Sequence, residues 1–498
     1  MAKFDFNPKT YEKKLKPLIR ELAFGKKYDK ALRRYPKTKT RLFTKTEVIA
    51  GLKYLGYPPS LVAKPIRTLS GVVPVTVLTK PYFCPGNCLY CPNDPTMPKS
   101  YLPNEPGGQR AVANQFDPFR QVVSRLKTYR ANNHPTDKVE LIILGGTWSA
   151  YPKTYQTWFI KRCFEALNNR ASATLSAAQA INETTQNRCV GLSLETRPDW
   201  ITKNELINFR KLGCTKVQIG IQSLNNRILR LNHRGHTVTA TKKAIKLLRL
   251  FGFKIQAHWM ANLYGSTPEK DIQDFVQLFK DKNFRPDELK IYPCSLIKTA
   301  PLMVYYQKGL WQPYSQSELT DLLVKILPLV PQYCRVSRII RDFSSEDIIT
   351  GNKQSNLRQL VEKKIKTKIK EIRFREIRNQ PSGRLKLKII TYKTSIGNEK
   401  FLQFVTANNQ ICAFLRLSLP VNSSGAMIRE LHVYGQSLAI GAKGKSQHLG
   451  LGSRLLKKAI KLAAGYKKLS VISAVGTREY YRRLGFVDGT LYQHLMLQ

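Results

Sequence analysis

Three cysteines lie within eight positions of a 498-residue chain that has only nine, in the stretch KPYFCPGNCLYCPND at 80–94. The spacing of Cys84, Cys88 and Cys91, Cys-x3-Cys-x2-Cys, is one ligand short of a closed zinc site or a four-cysteine iron–sulfur site. The next histidine along the chain, His134, is too far away in sequence to be a local fourth ligand. Three thiolates on one loop can bind three irons of a 4Fe-4S cluster and leave the fourth iron open to a substrate. A structural zinc or a plain surface loop is the alternative.

Further polar and glycine residues follow short apolar runs, where strands are expected to end. LIILGGT, SLETRPD, IGIQS and LNHRGH supply Gly145, Gly146, Thr147, Glu195, Arg197, Gln222, Arg234 and His236. A glycine pair after a strand lets backbone approach a ligand, although such a pair is usually only a turn. Each polar residue, His236 included, could equally be a satisfied group at a barrel mouth. Their order along one chain favours a shared site.

The elements that must position these residues are βα units. Short apolar runs alternate with amphipathic helical patterns, and about six units fit before residue 300, which predicts a parallel sheet with chemistry at the carboxyl ends of its strands. Alternating strands follow from about residue 384. We therefore expect an α/β chain with a basic helical region at 1–71, a partial (βα)6 barrel at 72–330, a helical linker at 331–383 and an α+β domain at 384–498.

A second glycine-rich segment, QHLGLG from Gln447 to Gly452, follows the strand RELHV and opens a helix. Backbone N–H groups at a helix start favour a pyrophosphate, but such a turn is a weak signal alone. Tyr480 and Tyr481 lie further on, either beside a ligand or as a packed aromatic pair.

The charge is strongly basic, with 83 Lys and Arg against 33 Asp and Glu, a net charge of +50. This excess predicts a polyanionic partner, of which nucleic acid fits best. The remaining six cysteines are scattered singly, which argues against a disulfide framework. The first residues have no apolar leader, and no run approaches eighteen uncharged apolar residues. A soluble, cytoplasmic protein with no membrane partner is expected.

The cysteine loop, with Tyr90 before Cys91 and βα units after it, resembles the radical S-adenosylmethionine (SAM) enzymes. The glycine-rich helix start before VISAVGTREYYRRLGF resembles the GNAT superfamily of N-acetyltransferases. With both modules, the chain resembles the family of the catalytic third subunit of Elongator. The segments that carry this resemblance include KPIRTLSGVVPVTVLTKPY, SYLPNEPGGQRA, VGLSLETRPDW, VQIGIQS and RELHVYG. The resemblance covers almost the whole chain.

This resemblance implies a tRNA carboxymethyluridine synthase that adds a carboxymethyl group from acetyl-CoA to carbon 5 of the wobble uridine. It assigns Cys84, Cys88 and Cys91 to a 4Fe-4S cluster. The residues that would bind SAM are Gly145, Gly146, Thr147, Glu195, Arg197 and Gln222. The residues that would bind acetyl-CoA are Lys138, Glu430, Leu431, His432, Val433, Gln447, Gly450, Leu451, Gly452, Ser453 and Tyr481. A reductant protein for the cluster is implied, and a homodimer is left open.

The sequence departs from the family pattern at two places. Relatives often have MPGLPGST where this chain reads MANLYGST at 260–267, and they often place zinc-binding cysteines where this chain has Ile369 and Phe374. No linker zinc is therefore expected. Three rival functions are weighed: a protein lysine acetyltransferase with a structural cluster, a tRNA-binding protein with a relic cluster, and another radical chemistry on RNA such as methylthiolation.

Overall fold

The structure is a computed structural model that describes residues 6–24, 26–58, 71–377, 383–434 and 450–497. Its first part is a small helical unit with its own apolar core, which includes Leu15, Ile19 and Val48. The helices of this unit are α1 (Glu12–Ala23), α2 (Tyr28–Arg34) and α3 (Lys45–Tyr54). These helices lie within the region 1–71 that the sequence predicts as one helical unit, of which residues 1–5, 25 and 59–70 lie outside the described residues.

A seven-stranded parallel sheet forms the centre of the chain, in the order β1-β2-β3-β4-β5-β6-β8. Its strands are β1 (Val73–Leu78), β2 (Lys138–Leu144), β3 (Arg188–Thr196), β4 (Lys216–Gln222), β5 (Lys254–Trp259), β6 (Glu288–Ile291) and β8 (Arg335–Arg338). A short antiparallel pair, β7 (Leu296–Ile297) and β9 (Ile348–Thr350), lies beside it. The expectation of six βα strands before residue 300 is confirmed.

Helices cover the outside of this sheet, and many of them begin at a threonine or serine that caps the first turn, such as Thr202, Thr237 and Ser315. They are α4 (Pro106–Ala113), α5 (Pro118–Ala131), α6 (Lys153–Asn168), α7 (Leu175–Asn182), α8 (Lys203–Lys211), α9 (Asn226–Leu231), α10 (Val238–Leu250), α11 (Pro268–Lys280), α12 (Leu302–Gln307), α13 (Gln316–Ile326), α14 (Leu357–Lys364) and α15 (Ile372–Arg375).

Side chains on the inner face of the sheet show that it is curled. Lys216 on β4 forms ion pairs with Glu140 on β2 and with Glu288 on β6, although neither strand is its neighbour. Lys290 on β6 likewise donates a hydrogen bond to Gln218 on β4. Contacts that skip a strand require a concave inner face. The outer-face residues are apolar and buried against the helices, so the partial barrel has an apolar outside and a polar lumen.

The segment 331–383 differs from the predicted helical linker. It contains β8, which pairs with β6 through Glu288 and Arg335 and so extends the barrel sheet beyond residue 330. The helices α14 and α15 follow this strand. Arg335–Arg338 is only four residues long and strongly charged, so its sequence has neither the length nor the apolar pattern of a typical strand.

A second, mixed sheet lies in the C-terminal part, in the order β10-β11-β12-β13-β14-β16-β15. Its strands are β10 (Lys386–Lys393), β11 (Gly397–Val405), β12 (Ile411–Pro420), β13 (Gly425–Val433), β14 (Lys468–Val471), β15 (Val487–Asp488) and β16 (Gln493–Met496), with helices α16 (Leu451–Leu462) and α17 (Arg478–Arg482). β13 and β14 are parallel, while the other neighbours in this sheet are antiparallel. The α+β architecture expected after residue 384 is present.

The parallel strands β13 and β14 pair only from Gly425–Lys468 to Ile428–Val471. Beyond Ile428, β13 continues for five residues without a partner on β14, which leaves a wedge between the two strands. The pairing of β13 with β12 shifts by one residue here, so Arg429 has no opposite residue on β12 and forms a bulge. This bulge lies where β13 and β14 separate. A bulge of this kind bends the strand that carries it.

Candidate active site

The cysteine loop, residues 80–94, follows β1 at the carboxyl end of the parallel sheet. Backbone hydrogen bonds fix it to two other segments: the Leu89 N–H donates to the Asn232 carbonyl at 3.2 Å, and the Leu302 N–H donates to the Leu89 carbonyl at 2.8 Å. Cys88 and Cys91 are buried, and Cys84 is half-buried. The loop is therefore held between the end of α9 and the start of α12, with its thiols directed away from bulk water.

Polar groups from other strands contact two of the thiols. The Arg234 guanidinium lies 3.4 Å from the Cys88 sulfur, and the Thr147 hydroxyl lies 3.5 Å from the Cys84 sulfur. Burial opposes ionisation of Cys88, but Arg234 outweighs it and holds the pKa of this thiol below its usual value.

Among the described residues, no three Cys, His, Asp or Glu side chains lie close enough to bind one metal ion. Each cysteine of an iron–sulfur cluster binds a different iron, so its thiols need not converge as closely as the ligands of one zinc. The spread of the three thiols is therefore compatible with a cluster.

Arg197 and Arg234 form the floor beneath the loop. Arg197 donates to the Arg234 carbonyl at 2.8 Å and to the Asp199 carboxylate at 2.9 Å. A Cβ on Gly86 would lie 2.3 Å from the Arg197 guanidinium, so the loop passes directly over this side chain. The SLETRPD arginine thus supports the cysteine loop directly.

Buried polar atoms with no hydrogen-bond partner among the described residues gather at this end of the barrel. They belong to Arg197 (Nη1), Gln222 (Oε1), Arg234 (Nε) and His236 (Nδ1 and Nε2). Burial, reinforced by Arg234 and Arg197, lowers the pKa of His236 to about 2, so its imidazole is neutral. Unpaired buried polar groups are costly, and so many in one place fit a site completed by a polar ligand. The amino, carboxylate and ribose groups of SAM are of this kind.

The glycine pair after β2 has a tight steric environment. Gly145 has φ +140°, and a Cβ there would lie 1.8 Å from the Thr79 hydroxyl. Gly146 has φ +84°, a region that side chains rarely adopt. Thr147 is buried beside Cys84. All three GGT residues therefore lie at the mouth, where Gly145 and Thr147 are buried and Gly146 is half-buried.

Glu195 lies one layer deeper in the lumen. It accepts a hydrogen bond from the Tyr101 hydroxyl at 3.0 Å, and its other oxygen lies 3.6 Å from Nδ1 of His258. Burial and the nearby Lys290 hold the pKa of His258 well below its usual range, so this pair is a carboxylate beside a neutral imidazole.

A cavity of about 320 Å³ lies at the opposite, amino end of the barrel strands. One wall is the wedge between β13 and β14, which contributes Glu430, Leu431 and His432 from one strand and residues 471–474 from the other. Tyr481, on α17, also lines the cavity and is buried. Four of the residues assigned to acetyl-CoA therefore share one cavity.

The other residues assigned to acetyl-CoA lie outside the lining of this cavity. Lys138 begins β2 at the same end of the barrel, and burial lowers its pKa. Val433 follows His432 on β13. The glycine-rich helix start is described from Gly450, which has φ +69° and caps α16, through Leu451, Gly452 and Ser453. Gln447 lies outside the described residues.

The barrel supplies the second wall of the cavity, which the sequence analysis missed. Glu140, Lys216, Lys254, Glu288 and Arg335 line it from the starts of five strands. The sequence does contain a pattern that could have predicted this wall. Four strands begin with a charged, an apolar and a polar residue in that order: KVE at 138, KVQ at 216, KIQ at 254 and ELK at 288. Since side chains alternate across a strand, the first and third residues of each triplet share one face.

A charged cluster joins the two walls. Arg429, fully buried, donates to the Asp287 carboxylate at 2.8 and 2.6 Å, to the Phe253 carbonyl at 2.8 Å and to Glu399 at 3.1 Å. Asp287 and Phe253 belong to the barrel, whereas Arg429 is the bulge residue of β13. The Glu430 carboxylate likewise bonds Lys254 of the barrel at 2.5 Å. The second sheet is thus ion-paired to the base of the barrel.

Comparison with known proteins agrees with this geometry. The radical SAM superfamily model matches residues 79–280, and the radical SAM C-terminal domain model matches 286–367. The curled parallel sheet, with three cysteines on the loop after its first strand, therefore defines a radical SAM protein.

More specific relatives span most of the chain. A tRNA uridine(34) acetyltransferase of Dehalococcoides mccartyi is 41% identical over 86% of this chain and 99% of its own length. The human Elongator complex protein 3 is 35% identical over 86% of this chain and 84% of its own. A solved structure of the Methanocaldococcus infernus Elp3 lacking residues 1–46 superposes with a TM-score of 0.76 at 36% identity, covering 86% of this chain and all of that one. The chain belongs to the tRNA uridine(34) acetyltransferase and Elongator complex protein 3 family.

Proposed function

We propose that the protein modifies the wobble uridine of tRNA, joining the methyl carbon of acetyl-CoA to carbon 5 of the uracil. The methyl group would give one hydrogen atom to a 5′-deoxyadenosyl radical, and the adduct would lose the proton of carbon 5 and one electron, which the oxidised cluster could accept. Hydrolysis of the thioester would then leave 5-carboxymethyluridine and free CoA. The observation that carries the proposal is the pairing of two sites on one barrel: a three-cysteine loop at the carboxyl ends of the strands, and a cavity in a strand wedge at their amino ends.

The cysteine end has the residues that a cluster and SAM require. Cys84, Cys88 and Cys91 would bind three irons, and reductive cleavage of SAM at the fourth would supply a 5′-deoxyadenosyl radical. Gly145 packs against Thr79 at the end of β1, and the adjacent half-buried Gly146 can bring its backbone close to the methionine part of SAM. Arg197 and Gln222 each have a buried polar atom without a hydrogen-bond partner among the described residues, and these atoms can bind polar groups of SAM. A protein reductant must supply the electron.

The wedge end suits acetyl-CoA. The part of β13 that extends beyond its pairing with β14 borders the cavity and can flank a pantetheine arm, and the N-terminus of α16 offers N–H groups to the pyrophosphate. Lys138, Val433, Gly450, Leu451, Gly452 and Ser453 are assigned to this end with the cavity residues. Burial raises the pKa of Tyr481 well above its usual range, so its hydroxyl stays protonated and can donate to the thioester sulfur.

Polar side chains line the lumen between the two ends. Ser193, Gln218 and Gln256 form a middle layer, with the Gln218 amide donating to Ser193 at 2.9 Å. Lys290 and His258 lie on either side of Gln218. Ser193, Gln218 and His258 are buried and joined by hydrogen bonds, so a polar layer, rather than an apolar core, lies between the wedge and the cysteine end.

The tRNA substrate fits the net charge of +50 and the basic helical region at the N-terminus. A protein lysine acetyltransferase would need an open path from the thioester to an acceptor lysine. Barrel residues such as Lys216 and Lys254 line the cavity on the side that faces the barrel and so close it to an acceptor protein. This closure counts against the lysine acetyltransferase alternative. Within the described residues, no helix is long and apolar enough to cross a bilayer.

A labelling experiment tests the reaction. Reconstituted protein is incubated with tRNA, SAM, dithionite and acetyl-CoA deuterated at its methyl group. Hydrogen abstraction from that methyl predicts deuterium in the 5′-deoxyadenosine and retention of the remaining label in carboxymethyluridine. Unlabelled 5′-deoxyadenosine formed alongside the modified base would contradict the proposed hydrogen donor.

A further inference from the structure

A row of aromatic side chains leads from the cysteine loop to the protein surface. Tyr82 stacks on Tyr151 with ring centroids 4.7 Å apart, Tyr151 stacks on Tyr155 at 5.1 Å, and Tyr155 contacts Trp158 at 5.6 Å. Phe83 lies between Tyr82 and Cys84 in sequence. We call these five residues, from Tyr82 to Trp158, the aromatic row.

Both ends of the row are open to solvent. Phe83 is 70% exposed, Trp158 is 44% exposed and Tyr82 is 42% exposed, although Tyr151 between them is buried. Tyr82 and Phe83 belong to the cysteine loop and Trp158 lies on α6, so the row carries exposed aromatic rings at both of its ends.

A cleft of about 380 Å³ lies along the Trp158 end of the row. Its lining includes Phe116, Tyr155 and Trp158, together with the charged residues Lys80 and Asp117. The Lys80 ammonium lies 5.3 Å from the centre of the Tyr155 ring. A planar group in this cleft would meet aromatic faces and a cation, which is the combination that binds single-stranded nucleic acid.

Hydrogen bonds make the row rigid. The Tyr151 hydroxyl lies 2.7 Å from the Thr79 hydroxyl and donates to the Lys80 carbonyl at 2.8 Å. The Lys80 N–H in turn lies 3.3 Å from the Tyr155 hydroxyl. These contacts tie the row to the end of β1, just before the cysteine loop. A base stacked on Tyr82, which itself stacks on Tyr151, would therefore lie at a fixed position relative to Cys84.

We propose that the aromatic row binds an unpaired nucleotide of the RNA substrate, next to the uridine that is modified. The argument rests on the proposed function, because it takes an RNA loop as the occupant of the mouth. A uridine inside the barrel must leave the base stack of its loop, and its neighbours lose stacking partners. Exposed aromatic faces beside the mouth can replace that lost stacking, and the strongly positive chain attracts the backbone.

Trp158 allows the test to be read by fluorescence without any turnover. Trp148, Trp259 and Trp311 are buried and Trp200 is half-buried, so the spectrum of the wild type minus that of Trp158→Phe isolates the one exposed tryptophan. The holoprotein is titrated with an RNA hairpin containing an anticodon stem and loop, and separately with a fully paired duplex of equal length. We expect the hairpin, but not the duplex, to quench the Trp158 signal.

Affinity measurements on variants give the second readout. Loss of one base–aromatic stack predicts that Phe83→Ala and Trp158→Ala each weaken hairpin binding about tenfold, while Trp158→Phe changes it less than about threefold. Phe374→Ala is the matched control, because Phe374 is an aromatic residue of similar exposure, 49%, away from the cysteine loop. It should leave the affinity unchanged.

The outcomes separate this proposal from the function on which it rests. Failure of the wild type to bind the hairpin or to modify tRNA would contradict the proposed function. If the wild type binds the hairpin and modifies tRNA, but Phe83→Ala and Trp158→Ala bind the hairpin with unchanged affinity, only the proposal about the aromatic row is overturned. Unchanged RNA affinity with slower reduction of the cluster by a flavodoxin would assign the surface to the reductant, and would likewise overturn the proposal.

Discussion

Replacement of Arg429 by methionine tests whether ion pairs hold the second sheet on the barrel. The change keeps an apolar stem of similar length but removes the charge that contacts Asp287 and Glu399, both buried. Asp287 would keep the Arg416 guanidinium at 3.5 Å and the Ile255 N–H at 2.9 Å. Removal of one partner from a buried pair costs about 3–5 kcal/mol, because the other charge stays buried.

The assay is urea unfolding followed by tryptophan fluorescence, with acetyl-CoA binding measured in parallel. A loss of about 3–5 kcal/mol corresponds to roughly two to four powers of ten in the unfolding equilibrium. Arg429→Met should also weaken acetyl-CoA binding, because the cavity needs both walls. The control is Arg454→Met, since Arg454 is exposed and its guanidinium packs on Phe404 at 4.6 Å. Its expected cost is below about 1 kcal/mol.

The pH dependence gives a further check on the same contact. Burial opposes ionisation of Asp287, but Arg429 and Arg416 outweigh it and hold its pKa well below the usual range. A depressed carboxyl pKa stabilises the folded state above the unfolded pKa, about 4, and this stabilisation is lost as the pH falls below it. Arg429→Met should flatten this acid dependence. Equal midpoints and equal acid profiles for Arg429→Met and Arg454→Met would refute the reasoning.

Three other changes probe the two ends of the barrel. Gly145→Ala places a methyl group against the Thr79 hydroxyl, so SAM binding measured by equilibrium dialysis should fall at least about tenfold, and wild-type affinity would contradict the close-approach argument. Tyr481→Phe should slow product formation about 10- to 100-fold with little change in acetyl-CoA affinity, whereas an unchanged rate would remove the hydroxyl from the chemistry. Asn232→Ala removes the side chain that accepts a hydrogen bond from the Tyr264 N–H at 3.2 Å and donates one to the Tyr264 carbonyl at 2.9 Å. Amide hydrogen exchange should therefore accelerate in the 260–267 loop. Unchanged exchange would show that other contacts hold this loop in place.

Local patterns were sufficient to predict the barrel and the cysteine loop. Strands such as β2 alternate buried and half-buried residues, and the Cys-x3-Cys-x2-Cys spacing lies within one loop, so both could be identified without tertiary information. The GGT and SLETRPD residues could be placed at the mouth because parallel strands end at one edge. Their contacts could not be predicted, since Arg197 meets Gly86 and Arg234 only after three segments assemble.

The base of the barrel and the edge strand were harder to predict. β8 is a four-residue strand with an arginine at each end, and its identity as a strand comes from pairing with β6 rather than from propensity. The cavity depends on where β13 and β14 part, which is set by the bulge at Arg429 and its contact with Asp287. That contact joins residues far apart in sequence, and one charge among 83 basic residues carries no local signal of it.

The central claim is that one chain performs radical chemistry on a tRNA uridine with acetyl-CoA. The most direct measurement is anaerobic reconstitution with iron and sulfide, incubation with tRNA, dithionite, SAM and acetyl-CoA, and mass spectrometry of the tRNA nucleosides, for the wild type and Cys88→Ala. We expect 5-carboxymethyluridine and 5′-deoxyadenosine from the wild type, and neither from Cys88→Ala. 5′-Deoxyadenosine without a modified uridine would contradict the assigned substrate, and the absence of both from protein with a fully loaded cluster would contradict the radical mechanism itself.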